Sequence, residues 1–222
     1  ISLAYYSARK SYIVERELPA GKGFADLIFL YLFLPANLIL YYLSGSRSWR
    51  NSILVVFSLL FYGWGEPVYL LLLLFSVAIN YLYGWIIEQL RGTPLCKAAL
   101  GLILAVDLGM LGVFKYSGLA VETVNALLGL SLPVPQLSLP IGISFYTFQI
   151  LSYVVDVYRG ECPAQRSFWK FLLFVSLYHQ LVAGPIVRYT EISDRISVRH
   201  ESWIGISRGF DRFFIGLLKK VA

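Results

Sequence analysis

Metal-binding and redox side chains are almost missing from this sequence. It has two histidines, His179 and His200, two cysteines, Cys96 and Cys162, and one methionine, Met110. Neither pair has a metal-ligand spacing, so no metal centre is expected. Two thiols this far apart make no disulfide framework, and free thiols are the expectation. No glycine-rich turn leads from a strand pattern into a helix, so a phosphate loop is not expected. Residues 1–23 lack the apolar core of a signal peptide. There is no internal repeat and no low-complexity tract.

Charge is also scarce. Charged residues make up 14% of the chain against 58% apolar ones, and mean hydropathy is +0.67. That balance excludes an ordinary soluble domain. The net charge of +6 does not point to nucleic acid. In a membrane protein the placement of Lys and Arg matters more than their sum.

What is present is a series of six apolar stretches: Phe24–Leu43, Ser52–Trp64, Val68–Ile87, Ala98–Phe114, Ile141–Tyr158 and Phe168–Val182. A helix needs about 20 apolar residues to cross a hydrocarbon core of roughly 30 Å. The expected fold is all-α, a polytopic transmembrane helical bundle. Ser52–Trp64 and Phe168–Val182 are short and suit tilted, re-entrant or protein-enclosed segments. Trp64, Tyr69, Tyr81, Tyr83 and Trp85 lie near span ends, as in interfacial aromatic belts. Lys115–Leu139 reads as a loop holding a short amphipathic helix, Val121–Leu130. Pro140 then falls in the first turn of the next helix.

Basic residues set the orientation. Arg47, Arg50, Arg91, Lys97, Arg159, Arg166 and Lys170 fall in three loops on one side, against Lys115 alone on the other. The rule that positive loops stay inside places those three in the cytoplasm. Residues 1–23 read as a polar extension outside the conserved fold, and 24–222 as the domain. The chain lacks a starting Met, and Lys219-Lys220-Val221-Ala222 leaves an apolar helical pattern without a stop signal. The expectation is a piece of a longer protein.

Three helices carry a distinct face at helical periodicity. Gly101, Ala105, Gly109 and Gly112 form a small-residue stripe suited to close helix approach. Ser76, Asn80, Tyr83 and Gly84 form a second stripe. On the fifth stretch Tyr146, Gln149, Ser152 and Asp156 share one side, opposite Ile150 and Val154. A polar stripe should face protein or a cavity, because facing lipid costs several kcal/mol. Asp107 lies opposite the small-residue stripe and has no evident role. Asp156 suits a helix-end charge near Arg159. A Ser176/His179 pair on one helix turn lacks oxyanion donors, so His179 reads as a packed, hydrogen-bonded histidine. His200 reads as solvated. Ile204–Ala222 sets Arg208, Arg212 and Lys219 against Ile206, Phe210, Phe213, Phe214 and Leu217. That pattern fits an interfacial helix or the start of another span.

Four strings carry a resemblance. The first is Arg50-Asn51-Ser52, then Ser58-Leu59-Leu60-Phe61-Tyr62-Gly63-Trp64-Gly65-Glu66-Pro67, continuing to Asn80-Tyr81. The second is Leu139-Pro140-Ile141-Gly142-Ile143-Ser144-Phe145-Tyr146-Thr147-Phe148-Gln149, with Tyr153, Asp156 and Tyr158-Arg159-Gly160. The third is Gln180-Leu181-Val182-Ala183-Gly184-Pro185-Ile186-Val187-Arg188, and the fourth is Gly209-Phe210 to Lys220. Together they resemble the membrane-bound O-acyltransferase family, in its bacterial branch of alginate O-acetylation membrane proteins.

The resemblance implies a multi-helix funnel that moves an acyl group from a thioester donor, such as acetyl-CoA, to a hydroxyl of an exported polysaccharide. No bound cofactor or metal is implied. A histidine expected beyond Ala222 would act as general base. His179 falls where relatives carry proline and does not inherit that role. Candidate substrate-path residues are Tyr146, Gln149, Ser152, Asp156, Gln180 and Arg188. Arg188 suits a donor phosphate, an anionic sugar or a lipid headgroup. Implied partners are membrane lipid, the hydroxyl acceptor and periplasmic or extracellular proteins, with no nucleic acid. The implied location is the bacterial cytoplasmic membrane, crossed several times. Two alternatives stand beside this: a transporter or channel, suggested by the Gly184-Pro185 break, and a non-catalytic scaffold of a polysaccharide assembly.

Overall fold

The computed structural model describes residues 27–135, 137–181, 187–199 and 202–221. Every regular element among them is helical. We label them α1 (Phe29–Tyr42), α2 (Arg47–Gly65), α3 (Pro67–Gln89), α4 (Pro94–Leu128), α5 (Ile143–Arg159), α6 (Phe168–Ser176), α7 (Tyr178–Leu181), α8 (Tyr189–Ser197) and α9 (Trp203–Val221). The polar extension 1–23 and the string 182–186 lie outside the described residues, as does His200.

Prolines open two of these helices and glycines stop two. Pro67 and Pro94 stand at the first turns of α3 and α4, where a missing N–H costs little. Gly129 and Gly160 end α4 and α5 in the left-handed conformation. Helix α4 corrects the sequence reading. It runs 35 residues without interruption, so residues 115–128 continue it and form no loop. Pro140 also precedes its helix: its carbonyl accepts the Ile143 N–H at 3.2 Å, and α5 begins there.

Two of the expected spans, α3 and α4, are long and apolar enough to cross a membrane. The others are shorter or more polar. The first turn of α2 holds Arg47, Trp49 and Arg50, and the sixth stretch breaks at Leu177.

The chain divides into two compact units. One comprises residues 54–193. Its centre is α5, packed against α3, α4 and α6. Tyr146, Gln149 and Asp156 are buried as expected, but so are Ile150, Val154 and Val157. The helix is therefore enclosed on most of its circumference, not split into a protein face and a lipid face. Its least buried line runs through Phe145, Phe148, Ser152 and Val155. Gly84 of α3 makes the α3–α5 approach possible. A Cβ there would lie 2.8 Å from the Tyr153 hydroxyl. The α4 stripe behaves in the opposite way to expectation. Gly101 and Gly109 have no neighbour within 4 Å of a built Cβ. The face that packs is Cys96, Ile103, Asp107 and Leu111.

The other unit comprises the described residues within 27–53 and 194–221. Here Arg199 donates to Asn51 Oδ1 at 2.6 Å and to the Tyr41 hydroxyl at 3.1 Å. Trp49 Nε1 donates to the Leu40 carbonyl at 2.8 Å, and the Arg50 guanidinium lies over the Tyr41 and Tyr42 rings. On α9, Ile206, Phe213 and Leu217 are half-buried, while Trp203, Phe210, Phe214 and Leu218 are exposed.

Candidate functional site

Five of the six candidate residues fall in three places. The first is the break between α6 and α7. In a continuous helix the Tyr178 N–H would donate to the Phe174 carbonyl, four residues back. At Leu177 the backbone leaves the helix, with ψ 112°, and that bond is replaced by two others. The Tyr178 N–H donates to Ser58 Oγ of α2 at 3.2 Å. The Phe174 carbonyl accepts Gln149 Nε2 of α5 at 2.8 Å. The same Gln149 nitrogen reaches Gln180 Oε1 at 3.4 Å. Gln149 and Gln180 are thus brought together around an interrupted helix whose freed backbone groups are met by side chains.

The second place is the end of α5 and the loop after it. Asp156 is 1% exposed, with the side chains of Arg188, Glu161 and Arg159 around it. Glu161 pairs with Arg188 at 3.7 Å and with Arg159 at 3.6 Å. Asp156 and Arg188 therefore share one charged cluster, as a helix-end charge would. The loop is tied down firmly. Glu88 of α3 accepts the Ala164 N–H at 3.0 Å and pairs with Arg166 at 2.6 Å. The Tyr153 hydroxyl accepts the Gln165 N–H at 2.9 Å. Arg91 donates to the Val157 carbonyl at 2.5 Å, capping the end of α5. Cys162 is buried in this loop. Burial and the neighbouring Asp156 and Glu161 push its thiol up to about 11, which leaves it protonated and unreactive at neutral pH. Both cysteines are free and buried, as the sequence suggested.

The third place is the middle of the bundle, where Tyr146 is fully buried beside Ser76 and Asp107. Asp107 Oδ1 accepts Asn80 Nδ2 at 2.9 Å, joining α4 to α3. Ser152 joins none of these groups. Its hydroxyl donates to its own helix at the Gln149 carbonyl, 2.8 Å away. His179 stands at an exposed position with its ring stacked on Tyr178 at 3.8 Å, which is the packing expected of it. Sequence reading missed the Asn80–Asp107 bond and Ser58. A lone carboxylate in an apolar helix needs a polar face nearby, and the Ser76/Asn80 stripe was the available signal.

Three proteins are similar to this chain in sequence. A protein of Pseudomonas putida named as a probable alginate O-acetylase, AlgI, is 40% identical over 204 residues, 89% of this chain and 42% of its own length. Its namesake in Pseudomonas aeruginosa is also 40% identical, over 89% of this chain and 39% of its own length. The chain is similar in sequence to both proteins over most of its own length. A peptidoglycan O-acetyltransferase of Helicobacter pylori is 29% identical over 87% of this chain and 43% of its own length. These matches agree with the membrane-bound O-acyltransferase resemblance carried by the four strings. The chain spans about two-fifths of the length of the curated relatives it matches. No family model matches it, and no solved structure does.

Proposed function

We propose that this chain is the N-terminal portion of a multi-pass bacterial inner-membrane enzyme. The enzyme transfers an acetyl or related acyl group from a thioester donor, such as acetyl-CoA, to hydroxyls of an exported polysaccharide. The observation that carries this is 40% identity to a probable alginate O-acetylase over 89% of the chain. Alginate and peptidoglycan are the acceptors named in the relatives.

The membrane placement is supported by what α3 and α4 leave uncovered. Leu71, Phe75, Leu82, Leu102 and Val113 are all more than half exposed. Apolar surface of that extent suits lipid and not water. The basic loops lie on the cytoplasmic side, and the turn at Glu66 faces out. A general-base histidine contributed from beyond residue 222 takes the proton from the acceptor hydroxyl, whose oxygen attacks the acyl carbonyl; the C–S bond of the thioester then breaks, and the departing thiolate takes up the proton held by the histidine. Within this chain, Gln149 and Gln180 at the α6–α7 break present polar groups to the substrate path. Asp156 and Arg188 order its cytoplasmic end, and Arg188 suits the phosphates of the donor.

A chimera tests this. The matching stretch of the Pseudomonas aeruginosa relative is replaced by this chain in a strain lacking that gene. Restored O-acetylation of secreted alginate supports the reading. A chimera that reaches the membrane intact but acetylates neither alginate nor peptidoglycan overturns it.

A further inference from the structure

Around Tyr146, a substrate-path candidate, lies a group of polar residues that the acetyl-transfer reading does not use. Asp107 is 2% exposed and Asn80, Ser76 and Tyr146 are 1% or less. They come from α4, α3 and α5. Tyr62 of α2 lies close to Tyr146 and is 3% exposed. Their hydrogen bonds do not balance. Both Asn80 N–H bonds are spent, one on Asp107 Oδ1 and one on the Ser76 carbonyl. The Ser76 hydroxyl donates to Met110 Sδ at 3.6 Å. Asp107 Oδ2, Asn80 Oδ1 and the Tyr62 hydroxyl make no hydrogen bond among the described residues, and the Tyr146 hydroxyl has Ser76 as its polar neighbour.

One of the unmet acceptors, Asp107 Oδ2, belongs to a carboxyl group. An unpaired buried carboxylate is among the most costly groups in a protein interior. Arg159, Arg166 and Arg188 form their ion pairs at the loop end of α5, away from this cluster. On the same helix as Asp107, Lys115 is two turns away, exposed, and lies over the Tyr116 ring.

What the cluster lacks is one positive charge that accepts oxygen ligands. We propose that Asp107, with the oxygens of Asn80, Tyr146 and Ser76 around it, forms a binding site for one alkali-metal cation, sodium or potassium. All the donors are hard oxygens, which suit such ions and not thiophilic metals. A single carboxylate neutralises a single charge. A divalent ion would leave a net charge in the bundle interior, so the charge balance selects the monovalent class. The ion would join α3, α4 and α5 where they meet. This inference rests on the membrane placement of α3 and α4 and not on acetyl transfer.

The test uses the intact protein in nanodiscs at neutral pH. Its unfolding temperature is compared in sodium, potassium and N-methylglucamine chloride at equal ionic strength. A saturable rise of several degrees with sodium or potassium is expected. It should vanish in Asp107→Asn, need a severalfold higher ion concentration in Tyr146→Phe, and persist in Asp156→Asn. Should Asp107→Asn not fold, saturable binding of radioactive sodium to the wild type, one ion per chain and displaced by potassium, decides the same point. Equal unfolding temperatures in all three salts with no saturable sodium binding overturn the site. So does an infrared carboxylic-acid band that disappears in Asp107→Asn, because the carboxyl then holds a proton. A failed chimera with an intact ion response would sink the acetyl-transfer reading alone.

Discussion

Phe174 and Tyr178 stand four residues apart, yet each takes its hydrogen bond from elsewhere: Phe174 from Gln149 and Tyr178 from Ser58. The interruption of this helix is specified by two neighbouring helices and not by its own residues. Gln149→Leu or Ser58→Ala should each lower stability by about 1–3 kcal/mol, the range for leaving a buried polar group unmet. The double variant should cost less than the sum, because the Tyr178-to-Phe174 bond can re-form. Thermal unfolding of the four proteins measures the coupling. Strict additivity would show that the break does not depend on this exchange.

Gly84 admits the Tyr153 hydroxyl. Gly84→Ala places a methyl 2.8 Å from that oxygen and 3.1 Å from the ring. A loss of about 1–3 kcal/mol is expected, typical of overpacking. Tyr153→Phe in the same background should recover part of it. Full destabilisation in the double variant would argue that the ring edge, and not the hydroxyl, sets the limit.

Gly142 precedes α5 with φ at 75°, and a Cβ there would lie 2.5 Å from the Leu181 carbonyl oxygen. Both the conformation and the contact exclude a side chain. Gly142→Ala should reduce the amount of folded protein more than Gly101→Ala, whose Cβ meets open space. Detergent-solubilised yield and unfolding temperature compare the two. Equal effects would contradict the geometry.

Cys162 provides a pH signature. Its thiol is raised in the folded chain from 9.0 to about 11. Between those values the unfolded thiol ionises while the folded one keeps its proton. The unfolded state is then favoured, and stability falls as pH rises through that window. Cys162→Ala should flatten the slope. At neutral pH Cys162 should also alkylate much more slowly in the native protein than after denaturation.

Tyr69 donates to the Ser138 carbonyl at 2.8 Å, so the turn after α2 and the segment before α5 share one end of the bundle. Arg91 and Val157 share the other. Single cysteines placed at Glu66 and Ser138 should label from outside intact cells, and one at Gly92 should not. External labelling of Gly92 would reverse the orientation.

The sequence made the longer helices legible because apolar runs mark them locally. Three features were not legible, each for a physical reason. Residues 115–128 look polar enough for a loop, but no left-handed glycine or proline interrupts them before Gly129. The break at Leu177 has no glycine or proline to announce it, because Ser58 and Gln149 hold it from other helices. The packing face of α4 was misassigned because small residues permit close approach without compelling it. Asp107 instead turned to the polar face of α3. Of the site residues, Gln149 and Gln180 meet although no sequence pattern paired them, while Ser152 turned back on its own backbone.

The enclosure of α5 bears on how the chain is made. Tyr146, Gln149 and Asp156 sit on a helix of 17 residues that touches α3, α4 and α6. In the proposed membrane placement, α5 left alone in a bilayer would expose Tyr146 and Gln149 to hydrocarbon at a cost of several kcal/mol. Helices α3 and α4 precede α5 in sequence and leave the ribosome first. They can receive α5 directly from the insertion machinery as a ready-made protein slot. Gene order along the polypeptide thus doubles as an order of assembly, and a circular permutant that synthesises α5 before α3 should stall there and be degraded.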